Sequence, residues 1–307
     1  MKKLTLILMT LCATINLAAQ KSNYTPSKME VEGEDKLAIV MAHFGTTHND
    51  TREKTIDVIN RRAAEEFSDI ADVFVSYSSR MVIRSLEQRD EVKILNIQEM
   101  LSKLLDEGYT HVVIQPTHLI EGVEMEALRR EVLEVKALFK DIRVGSPLLT
   151  TPEDYSKVLE AFREKNNQGK NDAVVLVGHG TYTAITATYA MMDYIFKDYG
   201  MEDWHVGTVE GYPTIDNVLK KLKANKNKRV LLMPFMFVSG EHSKNDIKGE
   251  WRERLEAEGY RVSMELAGMG ENPSIQDIFI DHIRFALDNR QVDILEKKRG
   301  YQNPTGL

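Results

Sequence analysis

Three residues in the second half of the chain have the types and spacing of a weak metal site. They are His179 in "VGHGT", Glu210 in "TVEGYPT" and His242 in "SGEHSKND". Each stands within two positions of a glycine, where the missing side chain lets the backbone bend and a ligand come close. Two imidazoles and one carboxylate suit a divalent first-row metal and leave coordination positions open. One such histidine alone reads as a helix cap or a loop residue satisfied by a carbonyl. Three at one edge of a sheet outweigh that reading.

The separations of 31 and 32 residues are those of successive β-α units. From Leu37 onward, apolar runs alternate with amphipathic stretches, which predicts an α/β fold with parallel sheets flanked by helices. Strands are expected over 37–42, 73–77, 112–116, 173–177, 205–209, 230–234 and 261–265. Helices are expected over 51–66, 97–107, 124–139, 187–196, 214–222, 246–258 and 274–289. The halves resemble each other: "AIVMAHFGT" matches "VVLVGHGT", and "VVIQPTHLIEGVE" matches "VLLMPFMFVSGEH". This predicts two similar domains, 37–165 and 166–307, each with about four parallel strands, a cleft between them, and a last helix closing the molecule. In open α/β sheets, ligands bind beyond the carboxyl ends of the strands. His43, Tyr77, His118, His179, Glu210 and His242 all fall at that edge.

Glu124 is the first-half counterpart of His242; its plainer role is an acidic residue in a first helical turn, where the helix dipole favours it. His43, the mate of His179, is expected as a second polar wall, and His118 as a satisfied loop histidine, with an auxiliary metal ligand as its alternative. His48, His111, His205 and His282 fit no constellation and are read as structural.

The N-terminus departs from this pattern. Met1-Lys2-Lys3 is basic, Leu4 to Leu11 is apolar, and Leu17-Ala18-Ala19 precedes Gln20. That is the layout of a secretory signal peptide over 1–19, too short for a stable membrane span, followed by a polar leader over 20–36. The expected localisation is the periplasm. The only cysteine, Cys12, lies inside the signal. A lipoprotein anchored there is the weaker reading, because Met9-Thr10-Leu11 lacks a small residue before the cysteine. The cleaved chain has no thiols, so disulfides and thiolate metal sites are excluded. Removing Lys2 and Lys3 from 40 basic residues leaves 38 against 47 acidic ones, a formal charge of −9. With no basic patch carrying interleaved aromatics, nucleic acid is excluded as a partner. Dinucleotide and Walker loops, a nucleophile elbow and Asp-rich magnesium motifs are all missing.

Taken together, "AHFGTTHNDTREKTID", "THLIEGVEME", "VGHGT", "VEGYPT" and "MPFMFVSGEHSKNDI", in this order, resemble the anaerobic cobalt chelatases, the sirohydrochlorin cobaltochelatases of the type II group. The resemblance spans roughly Leu37 to Asn289. It implies two α/β domains around a tetrapyrrole cleft, with His179, Glu210 and His242 as metal ligands. It further implies His179 as proton acceptor and Glu124 as a catalytic cleft carboxylate. The implied substrates are sirohydrochlorin and Co2+, with Fe2+ or Ni2+ as alternative metals and no organic cofactor. The chemistry suits these residues, because metal insertion must strip two pyrrole N–H protons. A histidine, with an ordinary pKa near ~6.5, can accept a proton near neutrality. Arg52, Lys54, Arg80, Arg84, Lys244 and Lys248 are candidates to meet the substrate's carboxylates, each with the plainer role of a solvated surface charge. Export is unusual for this family and supports an alternative, a haem- or tetrapyrrole-binding protein in iron or haem acquisition. Homo-oligomerisation is left open.

The signal reading predicts a mature protein that begins at Gln20. N-terminal sequencing or intact mass of envelope-fraction protein should find that residue first. A retained Met1, or lipid on Cys12, would contradict it.

Overall fold

The computed structural model describes residues 23–163, 172–240 and 243–302. The signal peptide, the domain boundary at 165/166 and His242 lie outside these residues.

The strands are β1 (Tyr24–Pro26), β2 (Leu37–His43), β3 (Asp72–Tyr77), β4 (His111–Pro116), β5 (Asp141–Val144), β6 (Asp172–Gly180), β7 (Trp204–Glu210), β8 (Arg229–Pro234), β9 (Arg261–Met264) and β10 (Asn289–Gln291). Two four-stranded parallel sheets have matching orders, β3-β2-β4-β5 and β7-β6-β8-β9. Every residue of β2 and of β4 is buried, as a parallel strand covered on both faces requires. Leu37–Ala42 and Val112–Ile114 are therefore continuous apolar runs rather than alternating ones.

Seven of these strands coincide with the expected ones to within a few residues. β5 was not expected. Its sequence "DIRV" buries Ile142 and Arg143 side by side, so no apolar run announces it.

The helices are α1 (Asn49–Lys54), α2 (Ile56–Glu66), α3 (Arg80–Asp90), α4 (Ile97–Asp106), α5 (Val123–Val135), α6 (Pro152–Arg163), α7 (Ala187–Asp198), α8 (Ile215–Ala224), α9 (Arg252–Ala257), α10 (Pro273–Asp288) and α11 (Ile294–Gln302). The single helix expected over 51–66 is broken at Thr55, where φ is −120° and ψ is −78°. The Thr55 hydroxyl bonds the Thr51 carbonyl at 2.6 Å, the side-chain competition that bends helices. The segment after β8 begins as a π-helix, Ser243–Trp251, before α9 continues it. Its Ile247 and Trp251 are buried in the core of the second sheet.

One apolar cluster joins the two sheets, including Met41, Val113, Val174, Phe235 and Phe279. α6 and α10 carry it across. Phe162 on α6 packs its ring 5.8 Å from that of Trp204 and 6.1 Å from that of Phe235. Phe279 on α10 meets Phe237 edge-on at 5.6 Å. α10, over nearly the range expected for the last helix, packs into this shared cluster. It is locked to the first turn of α6, because His282 Nε2 lies 3.0 Å from Asp154 Oδ1.

The two ends of the described chain close on each other. β1 pairs antiparallel with β10, Tyr24 facing Gln291. Beneath this pair sits Arg143, only 7% exposed, whose NH1 donates to the carbonyls of Ser27, Ala286, Leu287 and Asn289. Its other nitrogens donate to Asp141 at 3.0 and 2.6 Å.

Arg143→Leu removes the donors from four carbonyls and one carboxylate while keeping an apolar stem. Unfolding free energy in urea should fall by roughly 3 kcal/mol, within the range for breaking a buried charged network. An unchanged midpoint and slope would mean that this closure adds no stability.

Candidate functional site

In each sheet the first strand lies inside, with the second strand on one side and the third on the other. The order therefore switches between β2 and β4, and between β6 and β8, where such folds open their ligand crevices. The loops at these carboxyl edges touch across the molecule. Thr51 Oγ1 donates to the Ser239 carbonyl at 3.1 Å. A Cβ on Gly240 would lie 3.3 Å from Thr46 Oγ1 and 3.8 Å from His48 Cδ2. His48, read from sequence as structural, therefore lies against the glycine two residues before His242. Its placement in "HFGTTHND" gave no such signal.

His179 is the penultimate residue of β6 and half-buried. Its Nδ1 lies 3.1 Å from the Gly180 carbonyl oxygen. A proton held on Nδ1 by that carbonyl leaves the ring's lone pair on Nε2, the nitrogen that would take a metal or a proton. Glu210 ends β7, is exposed, and sits opposite Gly180 in the strand register. The strand ends approach so closely that a Cβ on Gly180, where φ is +85°, would fall 1.7 Å from the Glu210 carbonyl oxygen. The structure thus brings the His179 and Glu210 positions together. Among the described residues no group of three His, Cys, Asp or Glu side chains is placed to hold a metal. The third sequence-derived ligand, His242, lies outside those residues.

Glu124 is the second residue of α5, half-buried, with Gly122 as the N-cap. It lines a cavity of ≈ 40 Å³ together with Ser78, Arg80, His118 and Glu131. Arg80 donates to Glu131 at 3.1 Å. Burial raises the Glu131 carboxyl above its ordinary range against the pull of Arg80. His118 is not the satisfied loop histidine expected. Its Nε2 is 3.5 Å from Ser78 Oγ, and its Nδ1 is buried without a hydrogen-bond partner.

His43 is not a wall of the cleft. It is 1% exposed, with Thr117 Oγ1 2.8 Å from Nδ1 and Asn60 Oδ1 2.8 Å from Nε2. The asparagine oxygen only accepts, so Nε2 carries the proton and Nδ1 accepts from the threonine hydroxyl. Phe237 from the other half stacks over the ring at 6.0 Å and buries it. Burial pulls its pKa down to about 4.

The remaining histidines are structural. His205 is fully buried beside Lys197, with its pKa pulled down to about 3 chiefly by burial. His111 Nδ1 meets Thr110 Oγ1 at 2.9 Å. Among the candidate cations, Arg52 is occupied by Asp57 and Asn49, and Arg80 by Glu131. Arg84, Lys54 and Lys248 are exposed.

Paired α/β sheets meeting at polar carboxyl edges define a chelatase-like architecture, and comparison with solved structures bears this out. The Bacillus subtilis SirB structure with Fe3+ superposes with a TM-score of 0.60 at 15% identity, covering 82% of this chain and 96% of that one. The cobalt complex of sirohydrochlorin chelatase SirB from Bacillus subtilis subspecies spizizenii gives 0.56 at 14% identity, covering 82% and 95%. At the sequence level, residues 37–288 match the family described as Cobalt chelatase (CbiK). The sirohydrochlorin cobaltochelatase of Salmonella typhimurium is 36% identical over 258 residues, 82% of this chain and 97% of that protein. The sirohydrochlorin cobaltochelatase CbiKC of Nitratidesulfovibrio vulgaris is 31% identical over 263 residues, 82% and 91%. The chain belongs to the cobalt chelatase family.

The depressed histidines make stability depend on pH with a definite sign. His43 binds its proton near pH 4 when folded and near pH ~6.5 when unfolded, so the unfolded chain takes up the extra proton. Its contribution is complete above pH ~6.5 and is lost as pH falls towards 4, on the order of 3 kcal/mol. Urea midpoints measured between these values should fall with acidification. His43→Gln should flatten part of that slope, and an equal slope in the variant would remove His43 as its cause.

Proposed function

We propose that the protein inserts Co2+ into sirohydrochlorin. The observation that carries this reading is the meeting of His179 and Glu210 at neighbouring strand ends, in a chain of the cobalt chelatase family. Relatives that align over most of both chains are named sirohydrochlorin cobaltochelatases, which supports the same substrate and metal.

In this mechanism the incoming ion is held by His179, Glu210 and His242. Three protein ligands hold it loosely enough to be surrendered to four ring nitrogens. Each pyrrole N–H bond that breaks leaves its electron pair on nitrogen for the metal and releases a proton. His179 accepts one of them through Nε2, and Glu124 accepts the other. The Gly180 carbonyl keeps the His179 ring in the orientation this requires. Exposed Lys54, Arg84 and Lys248 draw the polycarboxylate substrate to the cleft mouth. Fe2+ and Ni2+ are alternative metals for an open imidazole-carboxylate set. With the signal read over residues 1–19, we place the activity in the periplasm.

Export also favours a second reading, a tetrapyrrole-binding protein for haem or iron acquisition that does not turn over. Absorption spectra separate the two. Purified protein mixed with sirohydrochlorin and Co2+ should convert substrate in excess of its own concentration; stoichiometric binding, of haem or of sirohydrochlorin, would establish the second reading.

His179→Ala should lower the insertion rate by roughly 10²-fold or more, because it removes ligand and proton acceptor together. His242→Ala should weaken Co2+ binding by a comparable factor, and both variants should still bind sirohydrochlorin. Parental rates in both would refute the His/Glu/His mechanism.

A further inference from the structure

Two tyrosines stand in solvent at the sheet edge that carries His179 and Glu210. Tyr182 is 83% exposed and Tyr212 is 51% exposed. Tyr182 follows His179 by three residues, and Tyr212 follows Glu210 by two. The chain thus keeps them within roughly 11 Å and roughly 7 Å, Cα to Cα, of those two residues. Neither side chain makes a hydrogen bond or ring contact among the described residues. Exposed apolar residues scattered singly need no explanation, but a group beside reactive positions does. In the first half Phe44, Met81 and Val123 are exposed too, each adjacent in sequence to His43, Arg80 or Glu124.

The loops that carry the two tyrosines are pinned to each other. Thr186 Oγ1 donates to the Tyr212 carbonyl at 2.8 Å and accepts from the Tyr212 N–H at 3.1 Å. Thr181 Oγ1 accepts from the Thr183 N–H at 3.3 Å, closing a turn with Tyr182 at its middle. A Cβ on Gly211 would lie 2.3 Å from the Thr181 carbonyl oxygen, so the residues before the two tyrosines touch. With the backbone ordered in advance, only the few torsions of each ring are left to settle when a ligand covers them. That ligand must offer a broad apolar face and still reach half-buried His179 and exposed Glu210. A tetrapyrrole does so, because its conjugated faces are flat and apolar while sirohydrochlorin's carboxylates lie round the rim. Tyrosine rings stack on such a face and keep their hydroxyls wet. Exposed Arg84 stands three residues after Met81 on α3, so a cation and an apolar side chain share one helix face, as the same ligand requires.

We propose that Tyr182 and Tyr212 are positioning residues that stack against the tetrapyrrole and hold it beside His179 and Glu210. The assignment deepens the proposed cobalt insertion and rests on that reading for the identity of the macrocycle. Neither phenol exchanges a proton in it. The rings keep the pyrrole N–H groups in front of the base and the incoming ion, so they act on binding and orientation rather than on the bonds that break.

The test separates binding from turnover by titrating the mature full-length protein with sirohydrochlorin, without Co2+, and following its absorption. Tyr182→Ala and Tyr212→Ala should each raise the Kd for sirohydrochlorin roughly fivefold to a hundredfold, the range for removing one stacked aromatic. The Kd for Co2+ measured without tetrapyrrole, and the urea midpoint, should stay parental. Tyr182→Phe and Tyr212→Phe should keep the parental sirohydrochlorin Kd, because the ring does the stacking. In turnover the alanine variants should raise KM for sirohydrochlorin more than they lower kcat. Tyr194→Ala, at an exposed tyrosine that lines a separate pocket with Lys197, should change none of these values. Parental sirohydrochlorin affinity in both alanine variants overturns the proposal; if their mass in light scattering falls instead, the rings serve a second copy of the chain. A loss that the phenylalanine variants share, or one accompanied by weaker Co2+ binding, overturns it too. A parent that binds sirohydrochlorin more tightly than its alanine variants yet never inserts Co2+ overturns the proposed function and supports the tyrosine assignment.

Discussion

The carboxyl ends of β6 and β7 come together with no room for a side chain between them, and the second half of the site depends on that approach. A Cβ at Gly180 would enter the Glu210 carbonyl, and one at Gly211 would lie 2.3 Å from the Thr181 carbonyl oxygen. Both residues have positive φ, +85° and +83°, a region that side chains other than glycine's occupy only with strain. The two bare positions let the strand ends lie side by side, with Glu210 opposite the residue that follows His179. Any larger residue would part the strand ends and, with them, the two groups.

The first half has the same topology and a different outcome. β2 also ends in a histidine, but the chain places Phe44 between that histidine and the following glycine, whereas Gly180 follows His179 directly. His43 ends up beneath Phe237, both nitrogens engaged, and becomes part of the contact between the halves. Phe44 is left 41% exposed at the edge. One half has kept a histidine at the surface of its strand end, and the other has used the matching histidine to hold the halves together. The repeated architecture supplies the positions, and the local packing decides which of them meet solvent.

Most of the fold was legible because parallel strands buried on both faces write themselves as apolar runs, as in "LAIVMA" and "VVLV". The failures have the same root. β5 hides because Arg143 occupies a core position that only four distant carbonyls can satisfy. α3 and α6 went unread, although α6 opens with Thr151 and Asp154 capping each other, a local signal that "TPED" does carry. In the site, strand-end positions could be read from β-α spacing, and His179 and Glu210 do stand at the ends of β6 and β7. Burial could not. The enclosure of His43 comes from a phenylalanine 194 positions later, and the missing partner of His118 from the shape of a cavity, neither of which leaves a mark on neighbouring residues.

The pairing of Tyr24 with Gln291 also sets an order of events in time. β1 has no strand partner until residues 289–291 are in place, and Arg143, already held by Asp141, lacks three of its carbonyl acceptors until residues 286–289 arrive. Each sheet can form from its own contiguous segment, so both can precede this event. The contact between residues 24–26 and 289–291 is therefore a seam that can open without either four-stranded sheet losing a strand.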